Sequence, residues 1–479
     1  MVTNMRNLLI FVFYLLSQAL QAETLLEIYQ LAEEQDPQLK IVNQERLALL
    51  EKQPQARALL LPQVTLGGNV TETWRTQDWM YGEHSENTSA GYNVSLNYAL
   101  YQRERQIQLE QVDSQISRAE TNYESAKQQL LERVAERYFT VLAAHDNLKF
   151  AGSAKKAFRR QWEQAQQRFD VGLIAITDVQ EARAGYDLAV ADEIQAQNEL
   201  DNAFESLREI TGHYHHGLAF LNADAPLLDP QPKEVEAWAE IAFKQNPQLQ
   251  SAQYAVETAR QEIEKQRAAH LPTVDLVGQH RYGDIVRGDE APNTLTTENT
   301  IGVQLNYFLY EGGAIRSRVR EAKQRHIQAL DQLEQQRRVV ELQTRQAFLT
   351  LLANISRAKA LKQALISTET ALKAIKIGFE SGTRTSVDVV NAQRDLLRAQ
   401  RDYSRARYDY VLNTLRLKQA VGILNIKDLE GINNWLIQYT IELQEEEDSP
   451  PPADTENTIP EPAVTQPEPA VIPDNKVTP

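Results

Sequence analysis

Two stretches of strict alternation open the pattern. Val64, Leu66, Gly68 and Val70 face one way and Thr65, Gly67, Asn69 and Thr71 the other; Ala90, Tyr92, Val94, Leu96 and Tyr98 then alternate with Gly91, Asn93, Ser95 and Asn97. Period two predicts strands with one apolar and one polar face. From Gln102 to Ala151 there is neither glycine nor proline, and Leu109, Val112, Ile116, Ala119, Tyr123, Ala126 and Leu130 recur at steps of three and four. That is a heptad seam, and it predicts a long helix packed on another helix. Continued to Asp170, such a helix is about 100 Å long. Upstream, Asp36-Pro37-Gln38-Leu39 predicts a helix start, with the helix running to Leu60 before Leu61-Pro62.

The plan then repeats. Asn246-Pro247-Gln248-Leu249 matches Asp36-Pro37-Gln38-Leu39, and Leu271-Pro272 matches Leu61-Pro62. Strand patterns return at Val274, Leu276, Gly278 and at Ile301, Val303, Leu305, Tyr307, and the seam returns from Ala314 to Ile377. At the end of each long helix comes a related stretch: Arg168-Phe169-Asp170-Val171-Gly172-Leu173-Ile174-Ala175-Ile176-Thr177-Asp178-Val179 and Gly378-Phe379-Glu380-Ser381-Gly382-Thr383-Arg384-Thr385-Ser386-Val387-Asp388-Val389. A glycine between two helical runs marks a turn, since only glycine enters left-handed geometry without a steric cost. Each copy is therefore expected to be the tip of a helical hairpin.

The expected organisation is a signal segment 1–22, a first repeat 23–212 and a connector 213–233, followed by a second repeat 234–422, a C-terminal segment 423–444 and an acidic, proline-rich tail 445–479. The first repeat has strands at about 64–74 and 88–100 and a tip at about 170–178; the second has strands at about 273–282 and 299–309 and a tip at about 379–388. The signal reading rests on Arg6, the apolar run Leu8–Leu16 and the small residue Ala22, and it places the remainder outside the cytoplasm. The tail holds nine acids and one lysine, a contribution of -8 to a net charge of -16. So acidic a chain is a poor partner for nucleic acid, which demands a basic face.

Four strands with one apolar face each could cover a soluble core. Two features oppose that. The helices use their apolar residues on one another. Aromatic residues also gather at both strand ends: Tyr98, Tyr101, Tyr307 and Tyr310 beside the helices, and Trp74, Trp79 and Tyr81 opposite. Such clusters are what a lipid-facing barrel shows at its two interfaces. Four strands cannot close a barrel, and open edges are not tolerated in lipid, so copies must combine. Two would give eight strands and a filled interior; three would give twelve and room for a bore. Asn93, Ser95, Asn97, Gln304 and Asn306 would face that bore.

The duplicated strand-strand-long-helix plan, together with Phe-Asp-Val-Gly-Leu…Thr-Asp-Val and Gly-Thr-Arg-Thr…Val-Asp-Val, resembles the TolC family of bacterial outer-membrane channels over nearly all of residues 23–440. The resemblance implies a mixed α and β membrane protein with internal duplication. Each chain would give four strands to a trimeric, 12-stranded outer-membrane β-barrel and long antiparallel coiled-coil helices to a periplasmic α-barrel, with 423–444 at its equator. It also implies a passive exit duct for tripartite drug efflux, type I protein secretion or both. The implied partners are two further copies of the chain, a periplasmic adaptor and an inner-membrane pump of the RND, MFS or ABC type. Lipid-anchored relatives begin their mature chain with cysteine; this sequence has none and resembles the unlipidated branch.

The two tips differ in chemistry, one apolar and one polar with a single cation. That suggests docking, with Arg384 reaching Asp178 or Thr177; a solvated arginine is the plain alternative. The resemblance implies that this contact, with Thr383 and Phe379, latches the periplasmic end shut. It implies a constriction ring at Asp388 and, one turn on, at Asn391, where relatives carry a second aspartate. Phe379 stands where relatives have a tyrosine hydroxyl. Both departures lead us to expect weaker cation binding and a looser closed state; Glu181, matching Asn391 in the first repeat, could restore a carboxylate. Gly172, Leu173 and Gly382 would meet the adaptor.

His213, His215 and His216 fit no standard metal spacing, and no cofactor motif is present. The chain also lacks Gly-x-Ser-x-Gly, a phosphate loop and His-Glu-x-x-His, so an enzyme is not expected. The competing expectation is a periplasmic coiled-coil scaffold or adaptor without a pore, which would have no need of strand pairs with aromatic ends.

Overall fold

The computed structural model describes residues 22–77, 83–215, 217–222, 224–288 and 295–437. The signal segment up to residue 21, the acidic tail, Trp79, Tyr81 and His216 lie outside them.

Helices α1 (Leu25–Gln35), α2 (Pro37–Leu50) and α3 (Lys52–Ala58) lead into strands β1 (Gln63–Gln77) and β2 (Glu83–Tyr101), then into α4 (Arg103–Asp170) and α5 (Ile176–Thr211). After the short strand β3 (Phe220–Leu221), α6 (Val235–Gln245) and α7 (Pro247–Ala268) precede β4 (Thr273–Gly288), β5 (Thr296–Asn306), α8 (Ala314–Glu380) and α9 (Ser386–Val421). Helix α10 (Ile426–Asn433) and β6 (Leu436–Ile437), which pairs with β3, follow. The long helices α4 and α8 have 68 and 67 residues, and α5 and α9 have 36 each. At 1.5 Å per residue the long ones reach about 100 Å, far beyond a membrane's thickness. Among the described residues no helix is long and apolar enough to cross a membrane.

The two halves start their inner helices alike. Asp36 Oδ2 accepts the Leu39 N–H at 2.8 Å, with Pro37 at the first helical position. Asn246 Oδ1 accepts the Gln248 and Leu249 N–H groups at 2.9 and 3.2 Å, with Pro247 behind it. The helix expected from Pro37 to Leu60 is instead two, parted at Glu51. Pro54 has no N–H for the Leu50 carbonyl, and its ring crowds that group.

The main sheet has the order β1-β2-β4-β5, antiparallel throughout, so the β2–β4 pair joins the two hairpins and β1 and β5 are its outer edges. Register sorts the faces. Val64, Leu66 and Val70 pair with Leu96, Val94 and Ala90, and Leu276 and Gly278 pair with Val303 and Ile301, all on one side. Asn93, Ser95 and Asn97 lie on the other side, with Gln304 and Asn306. On the apolar side Val64, Leu66, Val70, Ile301, Val303 and Leu305 are 64 to 79 % exposed, so none of the described residues covers this face.

Three strands outrun their expected spans, reaching 15, 19 and 16 residues, while β5 has 11. Pairs such as Thr73↔Asn87 and Glu72↔Thr88 continue the ladder where both faces turn polar, so alternation stops while pairing does not. Strand β5 ends at Asn306, before the expected Leu309.

The buried core lies where α1, α6 and α10 cross the long helices. Leu25, Ile28, Tyr138, Phe139, Leu351 and Leu415 are among its members. Tyr138 donates to the Ala219 carbonyl at 2.7 Å, and burial pushes its phenol well above the usual tyrosine range. His215, buried, sits between Thr211 Oγ1 at 2.7 Å and the carboxylate of Glu23, and it pins the start of the described chain to the connector. His213 Nδ1 donates to the Thr211 carbonyl at 2.8 Å.

Candidate functional site

Each hairpin ends in a glycine with positive φ, +77° at both Gly172 and Gly382. In the first tip the Gly172 N–H donates to the Phe169 carbonyl and the Leu173 N–H to the Arg168 carbonyl, both at 2.8 Å. These bonds close the last turn of α4 and leave Val171 and Leu173 projecting, 71 and 72 % exposed. Helix α5 then begins without a capping hydroxyl, since Ala175 holds the cap position. Asp178 Oδ2 accepts the Ala175 N–H at 3.3 Å.

The second tip is tied more tightly. The Gly378 carbonyl accepts from the Thr383 and Arg384 N–H groups at 2.8 and 3.1 Å and from the Ser381 and Thr383 hydroxyls at 3.0 Å each. The Thr385 hydroxyl accepts from the Asp388 N–H at 3.2 Å, and Asp388 Oδ2 accepts from the Thr385 N–H at 2.9 Å. That reciprocal pair is a capping box. The Thr385 N–H, then the Thr385 hydroxyl and the nearby Arg384 cation, hold the Asp388 carboxyl below its usual value.

Within the protomer the expected latch residues are separate. No ion pair or hydrogen bond ends on the Arg384 guanidinium among the described residues. Its aliphatic stem lies over Gly378: a Cβ there would stand 2.8 Å from Arg384 Cγ. Thr177 and Asp178 are exposed, as are Thr383, Arg384 and Asn391.

The contact joining the two tips is one the charge pattern did not suggest. The Arg168 guanidinium lies 4.8 Å from the centre of the half-buried Phe379 ring, so α4 and α8 meet at the very end of the hairpins. Further from the tip, Arg394 of α9 lies 5.6 Å over Phe158 of α4, and Asp146 accepts from the Ser404 and Tyr408 hydroxyls at 2.6 and 2.8 Å. Arg416 bridges Glu132 and Glu136 at 3.0 and 2.9 Å. The one sequence signal for the tip contact is the asymmetry of the copies: position one is Arg168 in the first and Gly378 in the second.

The sequence model of the family described as Outer membrane efflux protein matches residues 28–213 and again 238–423. The chain is 40 % identical over 426 residues to Outer membrane protein TolC of Vibrio cholerae, covering 88 % of this chain and 95 % of that one. It is 29 % identical over 441 residues to the alkaline protease secretion protein AprF of Pseudomonas aeruginosa, covering 89 and 91 %. Its fold is similar to the crystal structure of the Campylobacter jejuni CmeC outer membrane channel, with TM-score 0.72, 16 % identity and coverage of 86 and 90 %.

Proposed function

Because the chain belongs to the outer membrane efflux protein family, the family of TolC, we propose that three copies join into one gated exit duct. The protein is an outer-membrane channel for efflux and type I secretion, with its helical part in the periplasm, and it is a conduit, not an enzyme. The observation that carries the assembly is the sheet. It has four strands, two outer edges and, among the described residues, an uncovered apolar face; such a face suits lipid, but open edges cannot stand there unpaired. Pairing β5 of one copy with β1 of the next gives twelve strands, with Asn93, Ser95, Asn97, Gln304 and Asn306 lining a wet bore. The repeated family match and the near-equal lengths of α4 and α8 support an internal duplication with the boundaries given above.

At the far end the tips form the gate. Among the described residues of its own protomer Arg384 has no carboxylate partner, and Asp178 is exposed beyond its cap, so the latch runs between neighbouring copies, with Thr177, Thr383 and Phe379 around it. An arginine–carboxylate link is directional enough to hold a ring of tips in register. Asp388, charged and turned to its own cap, joins Asn391 in a constriction that draws cations. Val171 and Leu173, with the turn glycines Gly172 and Gly382, present a surface for a periplasmic adaptor linked to an inner-membrane pump; docking there draws the tips apart.

Single-channel recording in a planar bilayer tests this. A small resting conductance that rises in Arg384→Ser is expected. An unchanged conductance in that variant would refute the latch, and no conductance from purified protein would refute the duct.

A further inference from the structure

The sheet end that hands over to the helices carries a charge opposite to that of the chain as a whole. Register places Gln63, Tyr101, Thr273 and Asn306 at this end. The last turns of α3 and α7 and the first turns of α4 and α8 therefore lie directly beneath the strands. Four cations here have internal partners. Arg103 meets Glu110 at 3.2 Å, Lys265 meets Glu262 at 3.7 Å, Arg318 meets Glu311 at 3.8 Å, and Arg105 donates to the Leu59 carbonyl at 2.5 Å. Five others, Arg57, Arg267, Arg316, Arg320 and Lys323, are exposed and have no ion pair among the described residues. The net charge of the whole chain is -16, so this is a local reversal.

The start of α8 makes the reversal specific. Helices α1, α4, α5, α6, α9 and α10 each carry an acid in the first turn, whereas α2, α3, α7 and α8 carry none. The first turn is where the helix dipole favours negative charge. Helix α8 has no acid there and places Arg316 third, with Arg320 and Lys323 on the following turns. Cations at the positive end of a helix are disfavoured unless an outside anion faces them. Just above, Tyr101, Tyr307, Phe308, Leu309 and Tyr310 are exposed, the depth at which aromatic side chains mark a lipid interface.

We propose that Arg57, Arg267, Arg316, Arg320 and Lys323 form a basic collar that binds the phosphate of anionic phospholipids in the periplasmic leaflet of the outer membrane. The proposal rests on the reading that the sheet spans that membrane. Long cationic side chains under an aromatic belt extend into the headgroup layer while their stems lie along apolar surface. Basic clusters at the ends of membrane-spanning segments attract anionic lipid there.

The test uses the full-length protein, delipidated in neutral detergent and offered equal amounts of phosphatidylglycerol and phosphatidylethanolamine, with retained lipid counted by native mass spectrometry. The collar predicts at least about fivefold preference for phosphatidylglycerol, collapsing at about 1 M salt, where the Debye length is about 3 Å. Arg316→Gln/Arg320→Gln/Lys323→Gln is expected to lose most of the preference while running as the same oligomer. Equal preference in wild type and variant would overturn the collar and leave the membrane reading intact. Disassembly of the variant would also overturn it, since these cations would then serve a neighbouring copy. In a parallel incubation with lipopolysaccharide added, its preferential retention over phosphatidylglycerol through the same residues would place the end in the wrong leaflet. Failure of the wild type to retain any lipid would remove the membrane reading itself.

Discussion

Arg168 and Phe379 meet at the tip of the molecule, guanidinium over ring at 4.8 Å, and theirs is the contact that joins the first hairpin to the second at the proposed gate. A cation on a phenyl face is worth about 0.5–1 kcal/mol where solvent reaches it. Three such contacts moving together amount to about 1.5–3 kcal/mol, at least about tenfold in a closed-to-open ratio. Arg168→Gln is therefore expected to raise resting conductance in planar bilayers, whereas Phe379→Tyr, which keeps the ring, is expected to leave the contact in place. Unchanged current in Arg168→Gln would show that the contact does not hold the tip.

Gly378 and Arg384 offer a second handle on the gate. An alanine at position 378 would put its Cβ 2.8 Å from Arg384 Cγ, so the stem must swing away from α8. Gly378→Ala is expected to move the guanidinium off its latch position and raise conductance part of the way toward Arg384→Ser. In the double variant Gly378→Ala adds nothing further, because its effect passes through Arg384. Additive currents would contradict this.

Asp388 sets a pH expectation. Its carboxyl is held below the usual aspartate value of about 3.9 by the Thr385 N–H and hydroxyl and by Arg384. A depressed native value means that the helix-start stabilisation is fully present above the unfolded value and is lost as pH falls through the depressed one. The constriction charge persists over the same range. Block of the current by a trivalent cation should accordingly hold constant from neutral pH down to about pH 4 and weaken only below it. Asp388→Asn should weaken the block by at least about tenfold at neutral pH. A midpoint of the block near pH 6 would assign it to another group.

Asp36 tests the inner frame. It is 2 % exposed, caps α2 and accepts Arg133 Nη2 at 2.7 Å. Asp36→Ala removes the cap and leaves the Arg133 cation without its carboxylate. The expected cost is about 2–4 kcal/mol, reduced from the fully buried case because Arg133 is partly solvated. Thermal denaturation of the purified protein should show a Tm several degrees lower. Asn246, its counterpart, makes neutral bonds only, so Asn246→Ala is expected to cost less.

The elements were legible where one physical rule acted along the chain. Gly172 and Gly382 announce turns because no other residue takes that backbone cheaply, and the alternation from Val64 to Val70 announces a strand because one face is apolar. Legibility failed where the deciding contact was distant or the rule was overridden. Arg168 and Phe379 are far apart in sequence, and heptad spacing says which face packs, not which residue it meets. Charge pattern alone directed Arg384 toward Asp178, while in the protomer Asp178 serves its own helix start and Arg384 lies along Gly378. Pro54 was visible, yet the helix pattern ran on through it; the break at Glu51 is its consequence. Beyond Trp74 the backbone pairing continues where the sequence leaves no apolar trace.

The central claim is that β1 of one copy meets β5 of the next. The chain contains no cysteine, so introduced thiols report without background. Thr65→Cys on β1 and Gln304→Cys on β5 both stand on the polar face of opposite edge strands. Treating outer membranes that carry the double variant with a short bismaleimide, then separating under denaturing conditions, gives a direct readout. Covalent trimers, absent from either single variant, are the predicted result. Monomers alone, or dimers that do not extend to three, would contradict a sheet closed by three copies.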